Sequence, residues 1–81
     1  MSKRLATVSL FIEDLTMTEQ VNLILHEFSE HIVGRMGIPY RERGISVISI
    51  IIDADSDIIN KLSGKLGMVK GISAKTLFSK I

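Results

Sequence analysis

Two histidines and their acidic neighbours, His26-Glu-Phe-Ser-Glu-His31, form the densest set of potential ligands in the chain. Histidines four residues apart share one helix face and can hold a single ion. Here they are five apart, which on a helix turns the rings roughly 140° from each other. One helix therefore cannot bring both to the same metal. Pairing of His26 with Glu30, or of Glu27 with His31, is open to an i,i+4 contact, and a solvated polar helix face accounts for all four. A metal site using His26 or His31 would need ligands from a second chain. No cofactor is expected.

Gly64-Lys-Leu-Gly67 has the glycine–lysine look of a phosphate loop but not its pattern. A P-loop needs G-x-x-x-x-G-K-[ST] between strand and helix, and Leu66 follows the lysine here. The G-x-x-G loop of the KH fold lies between two helices, whereas Met68-Val-Lys-Gly-Ile72 leads into a strand. Helix packing at Gly64 and a helix stop at Gly67 are the simpler reading. The adjacent acids Glu13 and Asp14 sit at a strand-to-helix corner, where capping explains them and ligand contact at a subunit interface is the alternative. Serines are many, but no nucleophile elbow or histidine-based triad accompanies them. The chain is not expected to be an enzyme.

The elements that position these groups follow from periodicity. Leu5 to Ile12 alternates as a strand, with Ala6, Val8, Leu10 and Ile12 on one face and Leu5, Thr7, Ser9 and Phe11 on the other. Thr16 with Glu19 reads as a capping box that opens a helix. Its apolar stripe is Met17, Val21, Ile24, Leu25, Phe28 and Ile32, and Gly34 is the expected stop. Met36 to Arg41 is a short strand that Pro39 marks as an edge, and Arg41-Glu-Arg-Gly44 turns it into the next. Ile45 to Ile52 is apolar on both faces, Val47 and Ile51 against Ile48, Ile50 and Ile52, so it needs cover on both sides. Asp55 to Asp57 favours the start of a second helix with Ile58, Ile59, Leu62 and Leu66 buried and Lys61 and Lys65 facing water. A last strand ends at Phe78.

This order, β-α-β-β-α-β, is the ferredoxin-like arrangement of the α+β class, a four-stranded antiparallel sheet with two helices on one face. Residues 1–81 are read as a single domain. The uncovered face would carry Thr7, Ser9, Phe11, Val47, Ser49, Ile51, Ser73 and Lys75. Its apolar centre predicts that another copy packs there, as a homodimer or tetramer. Chain length points the same way, since about 60–65% of the unfolded surface is buried in a domain this small. Leu23, nearly opposite the buried stripe, marks a second contact surface or is a lone exposed leucine.

Net charge is +1 with acids and bases interspersed, which makes no case for nucleic acid or a membrane surface. The sheet also lacks the aromatic pairs of single-strand binders. There is no cysteine, so disulfides and thiolate chemistry are excluded. No apolar run approaches the ~20 residues of a membrane span, and Met1-Ser-Lys-Arg lacks a signal-peptide core. A cytoplasmic address is expected.

Four irregular stretches, Gln20 to Glu30, Arg35-Met-Gly-Ile-Pro-Tyr-Arg-Glu42, Leu62-Ser-Gly-Lys-Leu-Gly67 and Gly71-Ile-Ser-Ala-Lys-Thr76, resemble the regulators of the iron-only hydrogenase system. The resemblance covers nearly the whole chain. It implies an ACT-like domain, similar to the C-terminal domain of the nickel-responsive repressor, and an association with the maturation of that hydrogenase. That repressor domain holds nickel with histidines and a cysteine. Here Met36, Ile38 and Tyr40 fill the second strand and only His26 or His31 is available, so a nickel site of that type is not expected. Nothing like its DNA-binding module precedes Leu5, and Glu13-Asp14 stands where amino-acid-binding ACT domains often place glycine.

The expectation is a homo-oligomeric regulatory or sensor domain that binds a small effector at subunit interfaces. Glu13, Asp14 and Thr16 would form the site with Gly67 and Gly71, and action on transcription would need a separate DNA-binding partner. The alternative is an accessory protein that takes no ligand and binds a hydrogenase maturation factor.

Overall fold

The computed structural model describes residues 3–80. Strand β1 spans Arg4–Ile12, helix α1 Thr18–Glu27, β2 Ile32–Tyr40, β3 Ile45–Ala54, helix α2 Ser56–Gly67 and β4 Ile72–Phe78. The four strands form one antiparallel sheet in the order β2-β3-β1-β4. Alternation in sequence becomes burial: Ala6, Val8, Leu10 and Ile12 of β1 lie beside Ile52, Ile50, Ile48 and Ser46 of β3. The four β1 residues, with Ile48, Ile50 and Ile52, meet Val21 and Leu25 of α1 and Ile59, Leu62 and Leu66 of α2 in one closed core. The ferredoxin-like arrangement is therefore as the sequence predicts, and Ile48, Ile50 and Ile52 are the face of β3 that the helices cover.

The boundaries near α1 differ from expectation. Asp14, not Thr16, caps the entry: its Oδ1 accepts the Thr16 N–H at 3.0 Å and the Thr16 hydroxyl at 2.6 Å, fixing a 3-10 turn over Leu15–Met17. The helix proper starts at Thr18, and Glu19 merely adds favourable charge to its first turn. It ends at Glu27 rather than near Gly34, and a 3-10 turn over Ser29–His31 feeds directly into β2. Ile32 is claimed by sheet pairing with Ile52, so the chain leaves the helix before the glycine. Gly34 instead follows a bulge at Val33, where the pairing slips by one residue.

At the second helix the start is as expected, although Asp55 caps through its backbone carbonyl rather than its side chain. Gly67 keeps helical geometry at the end of α2, and the left-handed glycine comes four residues later at Gly71, with φ 79°. Gly64 is exposed, and a Cβ there would meet nothing within 4 Å, so it serves no close helix–sheet contact. Lys65 is partly exposed, and it also reaches across to α1. Its Nζ pairs with Glu27 Oε2 at 2.6 Å and lies 5.8 Å from the Phe28 ring, tying α2 to the end of α1. Gly44, with φ 65°, closes the β2–β3 turn as predicted.

Candidate functional site

The first corner assembles four of the five residues expected to hold an effector. The Gly71 carbonyl accepts the Glu13 N–H at 2.7 Å and the Asp14 N–H at 3.0 Å. Asp14 in turn holds Thr16. The Thr16 hydroxyl, and secondarily its N–H, hold the Asp14 carboxyl below its ordinary pKa, because both donate to the charged form. Glu13, Asp14, Thr16 and Gly71 are all exposed. Gly67 stands apart from this contact, with open space around its α-carbon.

The histidines are not brought together as a pair on one helix. His26 is in the last turn of α1, and His31 ends the separate 3-10 turn, 3.5 Å from its neighbour Glu30. Glu27 is taken by Lys65. Among the described residues no cluster of three metal-binding side chains exists.

The open sheet face is more apolar than its predicted members alone imply. Residues in register stand in rows across the four strands: Gly34, Ile51, Thr7 and Leu77; then Met36, Ser49, Ser9 and Lys75; then Ile38, Val47, Phe11 and Ser73. The middle row is largely polar, and apolar side chains dominate on both sides of it. Seven large apolar residues of this face, including Leu5, Met36, Ile38, Tyr40 and Leu77, are 42–72% exposed, far more than scattered surface residues would produce on one side. A groove of about 260 Å³ runs between Leu5, Thr7, Ile51 and Leu77 at one end. The contribution of β2 is recoverable from alternation at Met36, Ile38 and Tyr40, once the Arg41–Gly44 turn sets its register with β3.

A second groove, of about 220 Å³, opens on the helix side between α1 and β2. Arg35 and Asn22 border it, joined by a 3.0 Å hydrogen bond from the guanidinium to Asn22 Oδ1. No sequence motif announces this pair, because it depends on where α1 crosses the sheet.

The sheet order and helix arrangement define an ACT-like domain. The crystal structure of the ACT domain from GTP pyrophosphokinase of Chlorobium tepidum superposes with a TM-score of 0.78, covering 94% of this chain and 100% of that one at 24% identity. A formyltetrahydrofolate deformylase from Pseudomonas syringae contains the same fold in 29% of its length, with a TM-score of 0.65 and 12% identity.

Similarity to the uncharacterized protein TM1266 from Thermotoga maritima is much stronger: TM-score 0.93, 40% identity, 98% of this chain and 100% of that one. Residues 4–76 match the profile of the family "TM1266-like: Iron-only hydrogenase system regulator, putative". The chain belongs to that family, as the resemblance in its sequence implies. No curated protein matches it. Among the described residues no helix is long and apolar enough to cross a membrane.

Proposed function

We propose that this chain is a regulatory domain of an iron-only hydrogenase system that works as a homodimer or tetramer and responds to a small effector at a subunit interface. The observation that carries the reading is the open sheet face, with its seven exposed large apolar side chains. Four strands at about 4.8 Å and the ten residues of β3 at about 3.3 Å each give a footprint on the order of 600 Å². Protruding side chains add accessible area, which brings the face near the roughly 800 Å² that each partner contributes to a stable interface. A second copy presenting the same rows would cover apolar with apolar and place the serines of one middle row against those of the other.

Effector binding is assigned to the first corner, at Glu13, Asp14, Thr16 and Gly71, and Gly67, which stands apart from that contact, is left out of the site. Two exposed carboxylates there favour a ligand that donates hydrogen bonds or carries positive charge. The family description supports a regulatory role, and control of transcription would pass through a separate DNA-binding protein.

Light scattering tests the assembly: a dimer or tetramer is expected, and a stable monomer at micromolar concentration overturns it. A thermal-shift screen across metals, amino acids and nucleotides tests the effector, because a ligand of the native state raises Tm by mass action. No response from a broad panel, combined with direct binding to a hydrogenase maturation protein, would favour the accessory role instead.

A further inference from the structure

We propose that the groove between α1 and β2 is a binding site for a small oxyanion, a carboxylate or phosphate group, with Arg35 as its charge partner. The groove exists because the helices do not cover the sheet evenly. Ile48, Ile50 and Ile52 of β3 are buried beneath them, whereas Arg35, Gly37 and Pro39, which pair with Ile50, Ile48 and Ser46, are exposed on the same side of the edge strand. At Gly37 the floor is left open. A Cβ there would touch only Ile48 Cγ1, at 3.7 Å, so glycine provides space rather than relieving a clash.

The polar groups around this space are of one kind. Arg35 is in no ion pair among the described residues, and its hydrogen-bond partner is the neutral amide of Asn22. That contact holds the guanidinium at the rim while leaving most of its five N–H donors, and its whole charge, unused. The half-buried Ser46 hydroxyl lines the groove and makes no hydrogen bond among the described residues. Thr18, the other hydroxyl there, donates to the Leu15 carbonyl at 2.8 Å, so its remaining capacity is as an acceptor. No aspartate or glutamate lines the groove to repel an anion. A planar guanidinium fork matches the oxygens of a carboxylate or phosphate, and Ser46 supplies a second donor.

Titration of the 15N-labelled protein with inorganic phosphate and, separately, with acetate, at ionic strength held constant with chloride, tests this. Saturable shifts at Asn22, Gly37, Ser46 and the Arg35 side chain are expected from at least one anion, and the stronger one identifies the group preferred. Arg35→Gln, at an exposed position, should keep the spectrum of a folded protein and weaken binding at least tenfold. Ser46→Ala should weaken it less. Arg43→Gln, on the β2–β3 turn, should leave it unchanged. Shifts that do not saturate, that spread over the surface lysines, or that survive Arg35→Gln at full strength would overturn the proposal. The groove shares no lining residue with the first corner, so this result is independent of effector binding there.

Discussion

Gly71 and Asp14 are packed backbone to backbone: the Gly71 carbonyl accepts the Asp14 N–H at 3.0 Å, and a Cβ at position 71 would overlap Asp14 Cβ. The contact joins the segment before β4 to the turn after β1. At φ 79° Gly71 also occupies the left-handed region, where any side chain costs about 1–2 kcal/mol. Gly71→Ala is therefore expected to destabilise the fold by more than that figure in urea denaturation. Adding Asp14→Gly should relieve the overlap but not the backbone cost, so recovery should be partial. Full recovery would show that φ is not the constraint.

Asp14 also carries a pH signature. Its folded pKa is depressed by the Thr16 hydroxyl and then by the Thr16 N–H, so the charged form is the one the fold favours. The stabilisation is present above the unfolded value and is lost as pH falls through the lower native value. Asp14→Asn should flatten this part of the acid limb in a Tm-versus-pH series. Thr16→Val removes the hydroxyl and keeps the N–H, so NMR titration should show the Asp14 carboxyl moving back toward the ordinary range without reaching it.

Alternate residues of β3 should respond oppositely to the same substitution. Ile50 is wholly buried, and an unpaired ammonium there exceeds what a domain with about 5–15 kcal/mol of stability tolerates, so Ile50→Lys should unfold the chain. Val47 is half-buried on the open face. Val47→Lys should retain the circular dichroism spectrum while light scattering reports a smaller particle. Equivalent behaviour of the two variants would refute the division of faces.

Gly64 offers a gain. It lies within α2 with open space at its α-carbon, so Gly64→Ala should stabilise the protein by about 0.5–1 kcal/mol through helix propensity alone. A loss on thermal melting would mean that another chain approaches the helix at that point.

Which parts of this molecule could be read from residue order follows from range. Ala6, Val8, Leu10, Ile48, Ile50 and Ile52 announce their burial by alternation, a local signal that survives in one dimension. Helix α1 does not announce its end, because pairing of Ile32 with Ile52, twenty residues away, competes with continuation of the apolar stripe. The cap is ambiguous in the sequence for a related reason: Asp14 and Thr16 are both good caps, and in the fold the one that accepts from Thr16 is Asp14, whose own N–H is held by Gly71. At the corner, Glu13, Asp14, Thr16 and Gly71 do meet, while Gly67 and Gly71 look alike in sequence and are told apart by the positive φ of Gly71 and its contact with Asp14. The Arg35 groove is invisible in the chain because it is the space that a helix leaves uncovered.

The bulge at Val33 and the proline at position 39 bear on a hazard that any sheet of this kind faces. An open sheet has two free edges, and with an apolar face beside them it is a template for unlimited strand addition. In this chain β2, the longer edge strand, is bent near one end and lacks an amide donor near the other, while β4 carries the ammonium of Lys75. Growth along the strand-pairing direction is thereby discouraged, and association through the face ends once that face is covered. The edges, not the apolar rows, thus set the limit on how far such a sheet can be extended.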